Sequence, residues 1–172
     1  QGSSNKNEIA ERYLSEKRFL LGTDKYGRDL LSRLLVGSRI SISIGFVAVF
    51  ISLVVGVFFG AIAGYFGGWI DRLILWLINV VWSIPTLLMV IAITLALGRG
   101  YWQVFVAVGL TMWVEVARLV RGQVKSIKEE LYIQASNVLG FSKTRILIGH
   151  ILPMVVAPLI VISAANFASA IL

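Results

Sequence analysis

No cysteine occurs in this 172-residue chain, and only one histidine does. A disulfide framework is therefore excluded, no Cys/His metal site can be built, and the redox compartment stays open. No GxxxxGK[ST] phosphate loop is present, so the chain carries no nucleotide-hydrolysing site of that kind. An intramembrane enzyme fares badly with so few chemistry-bearing side chains, and no catalytic residue or metal ligand is assigned. Charge is the other scarce feature: Asp, Glu, Lys and Arg are missing from Ile40 to Ile70, from Leu73 to Gly98 and from Ile151 to Leu172.

Each uncharged run reaches the roughly 20 residues that a helix needs to cross a hydrocarbon core of about 30 Å. A fourth run, from Tyr101 to about Val120, is interrupted by Glu115 and Arg118. With 58% hydrophobic residues, the chain reads as an all-α integral membrane protein. The expected architecture is a polytopic helical bundle with about four spans, near 40–65, 73–97, 101–120 and 152–172. The net charge of +7 does not point to nucleic acid, because the cations fall between the apolar runs, where headgroups and orientation place them. The first 35 or so residues are polar and show no cleavable signal peptide. The final apolar run ends without flanking charge, and neighbouring spans are expected beyond the ends.

Residues 1–38 read as a polar segment that includes a short amphipathic surface helix, with Leu30, Leu31, Leu34 and Leu35 on one face; a soluble linker helix is the other reading. In the first span Ala48, Ser52, Gly56, Gly60 and Gly64 recur every fourth residue. They form a ladder of small side chains that lets a second helix approach. "YFGGWID" ends that span, where Gly67 and Gly68 break the helix. In the second span Asn79, Ser83 and Pro85 are candidates for a translocation path. Pro85 removes a backbone donor, and in lipid the freed carbonyl needs protein or water; a purely structural kink reads the same residues. "GRGYWQ" is a tight turn with interfacial Tyr101 and Trp102. Glu115 and Arg118, three apart, are expected to pair.

The stretch "QASNVLGFSKTRILIGHILP" (Gln134–Pro153) is a polar bend between apolar runs. A helix is expected from Gln123 to Leu139 with Ile127, Leu131, Ala135 and Val138 on one face. Gly140 suits a left-handed cap, and Ser142 an N-cap for a second short helix. Such a capped elbow, over about 123–151, needs a partner for its apolar face: a membrane surface or another protein.

This stretch resembles the EAA loop of bacterial ABC-importer permeases, which reads Glu-Ala-Ala, three residues, Gly, nine residues, Ile, any residue, Leu-Pro. Gln134, Ala135 and Ser136 fill the first places, Gly140 follows at the right interval, and Leu152 and Pro153 close the pattern. Gln134, Ser136 and His150 depart from it. The ending "HILP", with "LGTDKYGRDLLSRLLVGSRISISIG", "GAIAGYFGGWIDRLI", "SIPTLL" and "ARLVRGQV", is similar to the DppC/OppC-like dipeptide, oligopeptide and nickel branch. Asn79 stands where many members have Asp. The resemblance covers nearly the whole chain from Leu21 onward.

The resemblance implies a non-enzymatic permease subunit of an ATP-driven importer in the cell (plasma or inner) membrane. It implies a cytoplasmic elbow formed by Gln134, Ala135, Ser136, Gly140, Ser142, His150, Leu152 and Pro153, with Ala135 and Ser136 permitting close approach. The implied partners are separate ATP-binding cassette subunits, a second homologous permease and an extracytoplasmic substrate-binding protein. The chain itself would hold no cofactor, since ATP would sit on the partner subunit. Peptides are the expected substrate and nickel or a metal chelate the alternative; a secondary transporter or channel using Glu115, Asn79 and Pro85 is the other class. A cytoplasmic elbow places residues 1–39 outside, although they hold eight Lys and Arg against six between Arg118 and Arg145, contrary to the positive-inside tendency.

Overall fold

The structure is a computed structural model that describes residues 19–98 and 100–171. The expected polar segment thus falls partly outside the described residues, as does Arg99 of the "GRGYWQ" turn. The chain divides into two units, 1–40 and 41–172.

In the first unit a short loop precedes the opening turns of helix α1 (Leu30–Phe66). Thr23 and Asp29 close the loop as an isolated antiparallel bridge. Asp24 holds it from within: Oδ1 accepts from the Tyr26 and Arg28 N–H groups (2.8 and 3.0 Å), and Oδ2 from Arg28 Nε and Arg33 Nη1 (2.9 and 2.6 Å). These bonds, led by the Arg28 backbone N–H, lower the Asp24 carboxyl from an ordinary 3.8 to about 2, because they favour its charged form. The expected separate surface helix is corrected here. α1 runs unbroken through 30–66, since no proline interrupts it and Gly37 alone costs only about 1 kcal/mol.

In the second unit α1 is followed by α2 (Gly68–Trp82), α3 (Thr86–Leu97), α4 (Tyr101–Lys128), α5 (Leu131–Val138), α6 (Lys143–Ile146), a π-helical turn (Leu147–Ile151) and α7 (Leu152–Ile171). The expected span 73–97 is two helices bent by 93°. Pro85 explains the corner: it has no N–H, and its ring disfavours helical geometry at Ile84. The expected third span and the helix after it are also redrawn. α4 continues to Lys128, and Glu130, in extended conformation, restarts the chain as α5.

The small-residue ladder lies along α4. A Cβ on Gly56 would stand 2.5 Å from Val116 Cβ, one on Gly60 2.6 Å from the Ala117 carbonyl, and one on Gly64 2.7 Å from the Arg121 carbonyl. The contact advances with both sequences, so α1 and α4 run parallel. The chain leaves α1 at one end of this contact and enters α4 at the other. α2 and α3 must carry it back, and together they make one broken crossing. Gly45 meets Phe167 and Ile171 near the end of α7, so α7 runs antiparallel to α1. With α1, α4 and the α6–α7 helix each long and apolar enough to span, the described residues account for three crossings, and for four with the bent α2–α3 pair taken as one span.

Candidate functional site

The elbow is built on the shared end of α1 and α4. Lys128 Nζ donates to the Tyr65 carbonyl at 2.7 Å, placing a cation on an otherwise unpaired C-terminal carbonyl of α1. Arg121 grips Asp71 at the start of α2 with two hydrogen bonds, its Nη2 donating at 2.6 Å. Gln134 Nε2 donates to the Glu129 carbonyl at 2.9 Å and so closes the break between α4 and α5.

α5 ends in a Schellman motif. The Phe141 N–H donates to the Ser136 carbonyl at 3.2 Å and the Gly140 N–H to the Asn137 carbonyl at 3.0 Å, with Gly140 at φ +79°. That left-handed geometry is the reason for glycine at this point. Ser142 Oγ then caps α6 by accepting from the Arg145 N–H at 3.4 Å. The His150 ring, on the π-helical turn, stacks on Phe141 with centroids 6.0 Å apart, and the Arg145 guanidinium lies over the Phe141 ring, 4.4 Å from its centroid. Leu152 packs onto the core below, and Pro153 is exposed.

Beneath the elbow Ile127, Ile133, Ile146, Ile151 and Val155 form one buried cluster with Val116, Val120 and Val124 of α4. Ser136 joins the buried side, its Oγ donating to the Tyr132 carbonyl at 2.8 Å. It is therefore not available for a partner's close approach; its small size serves packing within the elbow. Ala135 faces outward. The expected face of Ile127, Leu131, Ala135 and Val138 is also corrected, because the break at Glu129–Glu130 resets the helical phase. Ile127 is buried, while Leu131, Val138 and Leu139 are 81%, 88% and 74% exposed. The elbow turns an apolar face away from its own core.

The expected path residues lie at the end of α2 and at the corner that follows it. Asn79 Oδ1 accepts from Arg118 Nη2 at 3.2 Å, and the Ser83 hydroxyl donates to the Asn79 carbonyl at 2.8 Å. Pro85 forms the corner. Arg118, sandwiched between Asn79 and the Trp82 ring (3.7 Å), does not pair with Glu115, contrary to expectation. Sequence reasoning missed the Asp71–Arg121 pair and the Lys128 cap; opposite charges 50 residues apart carry no local signal.

A multi-pass helical bundle with a capped polar elbow defines an integral membrane component. Residues 56–172 match the family described as binding-protein-dependent transport system inner membrane component, and the chain belongs to that family. It is 39% identical over 150 residues to the oligopeptide transport system permease protein OppC of Bacillus subtilis (strain 168), covering 87% of this chain and 49% of that protein. It is 39% identical over 162 residues to the dipeptide transport system permease protein DppC of Lactococcus lactis subsp. cremoris, covering 93% and 47%. It is 38% identical over 141 residues to the glutathione transport system permease protein GsiD of Pectobacterium atrosepticum, covering 82% and 47%. The chain spans about half the length of these relatives.

Proposed function

We propose that this chain is the membrane-spanning part of a permease subunit in an ATP-driven peptide importer, and that its elbow couples a separate ATPase to the bundle. The observation that carries the reading is the outward apolar face of Leu131, Val138 and Leu139 on a turn braced by Schellman bonds, Ser142 and Gln134. Exposed apolar side chains on a stiff element mark a docking surface. A lever must transmit displacement rather than absorb it, and this one is fixed to α4 and α7 by a continuous core. The partners are ATP-binding subunits at the elbow, a second permease chain against the bundle and an extracytoplasmic binding protein. The elbow is assigned to the cytoplasm as the side on which an ATPase would dock, against the larger number of Lys and Arg in residues 1–39. Peptides are the substrate class because the relatives' names include oligopeptide, dipeptide and glutathione transport.

The test is co-purification of the full-length protein with its ATPase, alone and with Leu131→Asp plus Val138→Asp. The charged pair should lower ATPase recovery at least tenfold, since each change buries an unpaired carboxylate at the contact, and the bundle should stay monodisperse in detergent. Full-length protein that imports peptide into vesicles with no ATPase present would overturn the proposal.

A further inference from the structure

Glu115 takes no part in the elbow. It lies fourteen residues beyond Tyr101 on α4, about 21 Å along the helix at 1.5 Å per residue, still within the apolar run 101–120. A carboxylate at that depth is costly in lipid and marks a place where a partner, a ligand or water meets it. Arg118, one turn on, is occupied by Asn79 and Trp82. Among the described residues no ion pair joins Arg118 to Glu115.

Glu115 instead lines a cavity of about 270 Å³ at the corner between α2 and α3, with Trp82, Ile84, Thr86, Thr111 and Ser169. That volume equals about nine liquid waters at roughly 30 Å³ each, enough for the end of a peptide and too little for a long one. The corner adds further negative character. Among the described residues no backbone N–H reaches the carbonyls of Trp82, Ser83 and Ile84 across the break, and these carbonyls lie at the negative end of α2. Among the described residues no three His, Cys, Asp or Glu side chains cluster, so the donor set of a transition-metal site is lacking. A single carboxylate beside the hydroxyl-bearing residues Thr86, Thr111 and Ser169 suits an organic cation, while the Trp82 ring is already covered by Arg118.

The geometry points to a subsite for a primary ammonium group, in which Glu115 is the counter-charge for the peptide α-ammonium as it passes the broken crossing. Glu115 is thus a specificity residue of the path. The peptide as the source of that ammonium rests on the function proposed above; the carboxylate and its cavity do not.

A chain without cysteine allows a direct reading. In the full-length protein, held in its transport complex and with any cysteine outside these residues replaced by serine, Thr86→Cys places one reporter thiol inside the cavity with Glu115 intact. Its labelling by trimethylammonium-ethyl and by sulfonato-ethyl methanethiosulfonate is followed by mass shift. The cationic-over-anionic rate ratio should fall about tenfold when Glu115→Gln is added, and Glu115→Asp should keep most of it. Tri-alanine should slow the cationic reagent, and N-acetyl-tri-alanine should not. Retention of each variant in the complex shows that it is folded. An unchanged rate ratio in Glu115→Gln overturns the subsite. A ratio that falls, with protection by putrescine but not by tri-alanine, upholds the cation subsite and overturns the peptide as its ligand.

Discussion

Gly140 and Asp24 show how much single residues hold in this chain. Gly140 sits at φ +79° with no atom within 4 Å of an added Cβ, so Gly140→Ala meets backbone strain and nothing else. The strain costs about 1 kcal/mol, confined to the elbow. Limited proteolysis around Leu139–Phe141 should quicken about fivefold, while the melting midpoint of the bundle hardly moves. Asp24 is sensitive to pH. Its folded carboxyl is lowered to about 2 from 3.8, so its bonds to the loop are fully present above about pH 4 and are lost as pH falls toward 2. Amide exchange at Tyr26 and Arg28, whose N–H groups donate to Asp24, should lose protection over that window. In Asp24→Asn the protection should no longer depend on pH. Gln134 illustrates a departure with a local cause: its amide donates to the Glu129 carbonyl, which an ionised Glu at that place could not do.

Among the elements, α1 and α4 meet along close glycine contacts at Gly56, Gly60 and Gly64. A Cβ at Gly60 would stand 2.6 Å from the Ala117 carbonyl and 2.8 Å from Val120 Cβ. Both obstacles belong to backbone or to a branched side chain and cannot swing aside. Gly60→Leu should therefore cost at least about 3 kcal/mol and appear as lost monodisperse protein on size exclusion. Gly122, on α4 with nothing within 4 Å of its added Cβ, is the control. Gly122→Ala relieves a helix-interior glycine and should stabilise by about 1 kcal/mol, read as a raised melting midpoint. The Lys128–Tyr65 cap and the Asp71–Arg121 pair fasten the same end of the bundle, so displacement of the elbow reaches α1, α2 and α4 together.

At the scale of the whole molecule, parallel α1 and α4 require the bent α2–α3 pair to cross the membrane. A re-entrant pair would return the chain to the face it left. Single cysteines in place of Phe66, Tyr101 and Glu130 distinguish the two, because all three side chains are exposed and the chain has no cysteine of its own. In sealed vesicles an impermeant maleimide should label positions 66 and 130 from one side and 101 from the other. Labelling of all three from one side would mean re-entry. Positions 66 and 130 should be the cytoplasmic pair.

The sequence by itself determined the helical membrane class, the ladder of small residues, the Gly140 turn, the Ser142 cap and the family. Each of these is written in local spacing: runs without charge, a four-residue period, a glycine followed by a capping hydroxyl. Tertiary structure decided the rest. Whether α1 breaks near Ile40, how far Pro85 turns the chain, and where Glu130 restarts the helical phase depend on contacts between distant segments. The phase then chose Leu131 and Val138 over Ser136 for the outer face. Arg118 went to Asn79 and Trp82 rather than to Glu115 three residues away, because only the packed bundle brings α2 within its reach, and a cation in lipid takes whatever dipole and ring the fold sets beside it.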